Sequence, residues 1–308
     1  MSANRPLGAV DRLLGAVDDH LLGFVLLSVA VGALVPSLSA LTALTLPMLA
    51  VMVGSVSLTL SPGAFRAVDR RAVGVVLLAQ SGMALVAFAV ASLLGLGPHL
   101  TLGFVVLGAV TPELVTPTMT ELAGGDTALS TVVLVAVGLG SLALVPGWVA
   151  LLVADVPVPA GRVVENLLLA VVGPMLVAVA ARARFPDRVS RHDDRYPSVS
   201  ALMVVLVIGV VTAANAGVVR ANAGLLPAVL AGALALNLAG YAGGWLAAAP
   251  FDRRTRVAAT LSVGMRDFAV AAALVVAAGF PPVASLPAVV FGVVEMATSA
   301  ALSEWFGE

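Results

Sequence analysis

The sequence contains no cysteine and no lysine, and only 11% of its residues are charged. Without cysteine there is no disulfide framework, no thiolate metal site and no cysteine nucleophile. The three histidines, His20, His99 and His192, are scattered along the chain, so no dedicated metal site is expected. A Walker-type glycine loop, a dinucleotide fingerprint and an HExxH pair are all missing, which excludes an ATP-driven pump in a single chain. No nucleophile–base or metal constellation for an intramembrane enzyme is found. No cofactor and no nucleic-acid partner are expected. A signal peptide is not expected either: the first twenty residues carry Arg5, Asp11, Arg12, Asp18 and Asp19 and have no short apolar core followed by a small-residue cleavage site.

What is present is apolar. Hydrophobic residues make up 60% of the 308, so the chain's solvent is lipid, and an all-α integral membrane protein follows. With about twenty apolar residues needed to cross a bilayer, ten spans are predicted, near 20–38, 41–60, 73–96, 100–122, 127–154, 161–181, 197–218, 224–249, 255–279 and 284–305. All sixteen basic residues are arginine, and they are distributed unevenly. Arg5 and Arg12, then Arg66, Arg70 and Arg71, then Arg182, Arg184, Arg188, Arg191 and Arg195, then Arg253, Arg254 and Arg256 fall on one side of the ten-span arrangement. The other side has Arg162 and Arg220. The positive-inside rule then puts both termini, including a segment 1–19, in the cytoplasm of a multi-pass cell-membrane protein. The polar loop 182–196 reads as a solvated hairpin connection.

Five spans on each side of the break make two repeats of opposite topology, 20–154 and 161–305. Corresponding features support the pairing. Gln80 in "LLAQSGM" and Asn237 in "LNLAGYAGG" are polar residues in the third span of each half. The fourth spans carry polarity in mid-membrane: Pro112, Glu113 and Pro117 in the first half, and Gly264, Arg266 and Asp267 in the second. Two prolines cannot both lie in an unbroken helix, so a break is expected there, and matched interrupted helices point to a transporter's binding site.

A lone charge at the bilayer centre costs at least about 2.5–3.5 kcal/mol, so Arg266 requires a partner. Asp267 points about 100° away from it on a regular helix, which leaves Glu113 of the other interrupted span as a candidate of equal standing. A structural salt bridge and a transport site both fit these residues. Glu295 lies mid-span as a further partner or a cavity wall, Asp126 reads as an N-cap, and Trp148, Trp245 and Trp305 fit an interfacial belt.

Four stretches carry a resemblance to a known family. They are "LPMLAVMVGSVSLTLSPGAFRAV", "VVLLAQSGMALVAFAVA", "GAVTPELVTPTMTELAGGDTALS" and "RRTRVAATLSVGMRDFAVAAALVVAAGFPPVASLPAVVFG". Over most of its length the chain resembles the bile acid:sodium symporter family. The resemblance implies a panel domain of spans 1, 2, 6 and 7 and a core domain of spans 3–5 and 8–10, with broken helices 4 and 9 crossing in the core. It also implies secondary transport of a small organic anion across the lipid bilayer, commonly driven by sodium.

The departures fall on the sodium ligands. The family's Ser-Asn pair aligns with Thr116 and Pro117, a ligand threonine with Leu134, the shared glutamate with Ser262, the glutamine with Arg266 and the following asparagine with Asp267. Gln80, Ser130 and the backbone carbonyls near Val263 and Met265 remain as residual sodium-site positions. Loss of ligand oxygens and a nearby guanidinium both disfavour sodium, so two intact sodium sites are not expected. Arg266 is instead expected to stand where a cation would bind, paired by Glu113 and Asp267. The substrate and coupling site is thus assigned to Glu113, Thr116, Pro117, Ser130, Arg266, Asp267 and Glu295, with uncoupled transport, exchange and proton coupling through Glu113 or Asp267 all open. Two other readings stay open on sequence: an arsenite-type efflux permease, which the absent cysteine disfavours, and a transport-inactive receptor or scaffold.

Overall fold

A computed structural model of the chain describes residues 20–60, 63, 68–153, 156, 159–221 and 223–307. The segment 1–19 assigned to the cytoplasm and the loop residue Arg66 lie outside the described residues. No strand occurs among the described residues.

The first helix, α1 (Leu21–Leu34), stops early because Pro36 disfavours helical geometry at Val35 and has no N–H of its own. A 3₁₀ stretch, Pro36–Leu44, leads into α2 (Thr45–Ser57). Next come α3 (Arg70–Leu93), α4 (Pro98–Ala109), α5 (Thr116–Leu122) and α6 (Thr127–Leu152). The second half starts with α7 (Ala160–Leu167), which passes through a π turn at Leu168–Val172 into α8 (Gly173–Arg184). It continues with α9 (Tyr196–Ala221), α10 (Leu225–Ala247), α11 (Arg253–Gly264), α12 (Phe268–Ala277) and α13 (Leu286–Gly307).

Among the described residues, eight helical runs are long and apolar enough to cross a membrane, and the protein is a multi-pass membrane protein. Two regions expected as spans hold shorter apolar helices, the 14-residue α1 and the 12-residue α4. Proline accounts for both. Pro36 ends the first, and Pro112 removes a donor just beyond the second and pushes Thr111 away from helical geometry.

The run Arg253–Ala277 lies at the centre of the protein: 94% of its most apolar stretch is buried, against 28% for Arg70–Leu93. Two sets of helices pack around it. In one, α9 packs against α1 and α2, and α2 against α8; in the other, α3 packs against α4, α6 and α10, and α10 against α11 and α13. Small residues on α10 permit the closest approach. A methyl group on Gly244 would meet the Ala259 carbonyl oxygen at 2.3 Å, and one on Gly240 would meet the Gly264 Cα at 2.7 Å. In lipid such close backbone packing substitutes for a hydrophobic drive between helices.

Candidate functional site

Two non-helical segments meet at the centre. Residues 110–115 separate α4 from α5, and 265–267 separate α11 from α12. Crosswise packing brings these gaps together, since α12 packs against α4 and α11 against α5. The Asp267 N–H donates to the Thr111 carbonyl at 3.0 Å, joining the two gaps directly. Both gaps open with an extended residue, Val110 (ψ 173°) after α4 and Met265 (ψ 134°) after α11.

Helix ends concentrated in an apolar interior leave backbone groups without partners, and they carry partial charges: negative at C-termini, positive at N-termini. The charged side chains answer these ends. Nη1 of Arg266 donates to the Gly108 carbonyl at 3.0 Å and Nη2 to the Val263 carbonyl at 2.8 Å. One guanidinium therefore bridges the carbonyl ends of α4 and α11. Oδ1 of Asp267 accepts from the Val270 N–H at 2.8 Å and caps α12. The Glu113 carboxylate faces the N–H groups of Leu114 and Phe268, the latter being the first residue of α12.

This arrangement corrects the expected pairing. No ion pair joins Arg266 to Glu113 or Asp267, although all three are buried. Arg266 and Asp267 are consecutive, but they sit between the C-terminus of one helix and the N-terminus of the next. The cation turns back to carbonyls and the anion turns forward to an N–H, so each charge meets the dipole end of complementary sign.

The carboxylates form a second feature. Glu113, Asp267 and Glu295 act on one another electrostatically across the site. Each keeps a buried oxygen without a hydrogen-bond partner: Oε2 of Glu113, Oδ2 of Asp267 and Oε2 of Glu295. Nε of Arg266, Oε1 of Gln80, Oγ1 of Thr111 and Oγ of Ser262 are also buried and unpartnered. Among the described residues, no group of three acidic or histidine side chains is placed to hold a metal ion.

Of the remaining expected positions, Gln80 donates through Nε2 to the Val110 carbonyl at 3.3 Å and so ties α3 to the first gap. Thr116 donates to Sδ of Met265 at 3.9 Å, across the two gaps. Val263 contributes its carbonyl to Arg266. Pro117 is buried in the first turn of α5. Ser130 is buried but bonds the Thr127 carbonyl of its own helix at 3.1 Å, so its hydroxyl is engaged within α6. Asp126 caps α6 as expected, accepting from the Leu129 N–H at 3.1 Å.

Sequence reasoning passed over a polar chain behind the site. The hydroxyls of Tyr241 and Thr298 lie 3.3 Å apart, Thr298 donates to Oδ1 of Asn237 at 2.7 Å, and Nδ2 of Asn237 donates to the Gly264 carbonyl at 3.2 Å. The last carbonyl of α11 is thereby satisfied. Spacing could have signalled this chain: Asn237 and Tyr241 are four residues apart, Glu295 and Thr298 three, so each pair lies on one helix face. Arg256 lies 3.7 Å over the Trp245 ring, which stacks on Phe306 at 5.6 Å. Trp245 is thus engaged within the protein as well as suited to an interface.

Comparison with known proteins gives two matches. A family model described as "Sodium Bile acid symporter family" matches residues 46–222, more than half of the chain. A relative from Bacillus subtilis (strain 168), described as "Uncharacterized sodium-dependent transporter YocS", is 29% identical over 217 residues. That match spans 68% of this chain and 65% of the relative's own length.

Proposed function

The chain belongs to the sodium bile acid symporter family, and from that premise we propose that it is a secondary transporter of a small organic anion working by alternating access. The observation that carries this reading is the meeting of two helix interruptions in the protein interior with charged side chains at their ends. Interrupted helices leave directed dipoles where a solute or ion can bind, and broken helices in corresponding positions mark transporter sites. On this reading α1, α2, α7–α8 and α9 form the panel, and α3–α6 with α10–α13 form the core. Runs 20–154 and 161–305 are the inverted repeats, with α4–α5 and α11–α12 as spans four and nine of ten. The arginine-rich loops support cytoplasmic termini.

The relative's description includes sodium dependence. Here the positions that the family resemblance gives to sodium ligands are depleted, and the Val263 carbonyl already accepts from Arg266. We therefore assign Arg266 the place of a fixed cation, so that transport does not depend on sodium. The test is flux in proteoliposomes over a panel of small carboxylates, with sodium or choline and with or without a pH gradient. Carboxylate flux equal in sodium and choline is expected. Saturable stimulation by sodium refutes the fixed-cation assignment, and lack of flux for the whole panel refutes transport of this substrate class.

A further inference from the structure

Arg266 does not balance the carboxylates around it, because its donors are committed to the carbonyls of Gly108 and Val263. Glu113, Asp267 and Glu295 outnumber it in any case. Each of the three is at least nine-tenths buried, and each retains an oxygen without a partner. They come from three separate parts of the fold: the gap after α4, the gap before α12, and α13. Excess negative charge enclosed in an apolar interior requires a cation.

We propose that Glu113, Asp267 and Glu295 form a shared proton-binding site, and that a proton, not a metal ion, is the cation this site exchanges with water. This inference rests on the transporter reading for its role and names the coupling ion of the same site. The geometry separates the two kinds of cation. A metal ion needs several oxygens converging on one point at bonding distance, and among the described residues these side chains do not converge in that way. A proton needs a single acceptor oxygen, and three are available. Binding forms one O–H bond on a carboxylate oxygen and release returns that proton to water, so no co-reactant is required.

Other groups facing the cluster are accounted for. Arg266 lies on the same gap as Asp267. Tyr241 of α10 senses the charge of Glu295 and bonds Thr298 one turn beyond it. The interiors of α3, α6 and α9 contribute no ionisable side chain. The charge of the site is thus set by three carboxylates, one guanidinium and one phenol.

The test uses the full chain in liposomes without added anion. Infrared spectra are taken between about pH 5 and about pH 9 for the wild type and for Glu113→Gln, Asp267→Asn and Glu295→Gln. Thermal stability is measured in parallel against sodium, with choline as control. A carboxylic-acid carbonyl band that titrates reversibly is expected in the wild type. Since the groups interact, each substitution should weaken the band and move the midpoint of what remains by about one pH unit or more. Three near-isosteric variants keep the test open if one does not fold. The proposal is overturned by a folded wild type without a titrating acid band, by a band unchanged in every folded variant, or by saturable stabilisation of the wild type by sodium. Anion flux is scored separately. A titrating cluster without flux upholds the proton site and fails the transporter reading, whereas flux without a titrating band does the reverse.

Discussion

Replacing Arg266 by glutamine removes the guanidinium while keeping a polar side chain of similar reach. The wild-type residue makes two charge-assisted hydrogen bonds to backbone carbonyls, of 3.0 and 2.8 Å. At about 1.5–3 kcal/mol for a bond to a charged group, their loss removes about 3–6 kcal/mol. Relief from burying the charge returns about 2.5–3.5 kcal/mol. The balance of the midpoints is a net destabilisation of about 1.5 kcal/mol, or roughly 2 °C in Tm for a chain of this size. Arg266→Ala should lose more, because it also leaves a cavity and both carbonyls bare. The two freed carbonyls and Oε1 of Gln80 are oxygen ligands, and Ser262→Glu adds a carboxylate beside them, so Arg266→Gln combined with Ser262→Glu should gain a sodium response that the wild type lacks. At a sodium concentration one hundred times Kd the gain is about 2.7 kcal/mol. The assay is thermal unfolding in detergent against sodium, with potassium as control. Wild-type stability in Arg266→Ala would refute the bridging role of the guanidinium. A double variant that responds equally to sodium and potassium would refute the fixed-cation argument.

Three further outcomes are expected. Gly264→Ala should be strongly destabilising, by about 3 kcal/mol or more where overpacking has no room to relax, because the added methyl would lie 2.0 Å from the Tyr241 ring; measured Tm and expression check this, and a tolerated alanine would contradict the packing of α10 on α11. Asp267→Asn should preserve the cap of α12 while Asp267→Ala costs about 0.5–2 kcal/mol, so unfolding that ranks asparagine with alanine would show that the carboxylate charge, not the cap, supports the helix. At Asp252, outside the spans, the Thr255 N–H bond lowers the carboxyl below its usual range; a lowered folded-state value contributes stability above the unfolded value that is lost as pH falls through the folded one. Asp252→Ala should therefore cost stability at neutral pH, near the low end of capping effects because the site is exposed, and the gap to wild type should close in acid.

The ten-span reading took apolar length as helix length. It was informative for the long runs, where a sustained apolar stretch has one low-energy solution in lipid: a helix that satisfies its own backbone. It was less informative at α1 and α4, where proline shortens the helix without changing the hydropathy of the surrounding residues. Glu113, Arg266, Asp267 and Glu295 were legible as candidates because a charge in a twenty-residue apolar run is costly and conspicuous. Ser130 was legible only through the family resemblance, and its hydroxyl donates to the Thr127 carbonyl of its own helix.

Residue type and order alone therefore determined that this chain lives in a membrane, roughly where it crosses, and which side chains are too polar to lie there without a partner. Which partner each takes was decided by tertiary structure. Arg266 bonds Gly108 across 158 residues of sequence, and it bonds a carbonyl, a group that every residue carries and that no motif can mark. Opposite charges suggested a salt bridge because side chains are all that a sequence displays. The fold adds helix termini, whose partial charges exist only once the backbone is hydrogen-bonded into direction, and the buried charges of this protein are oriented by those termini.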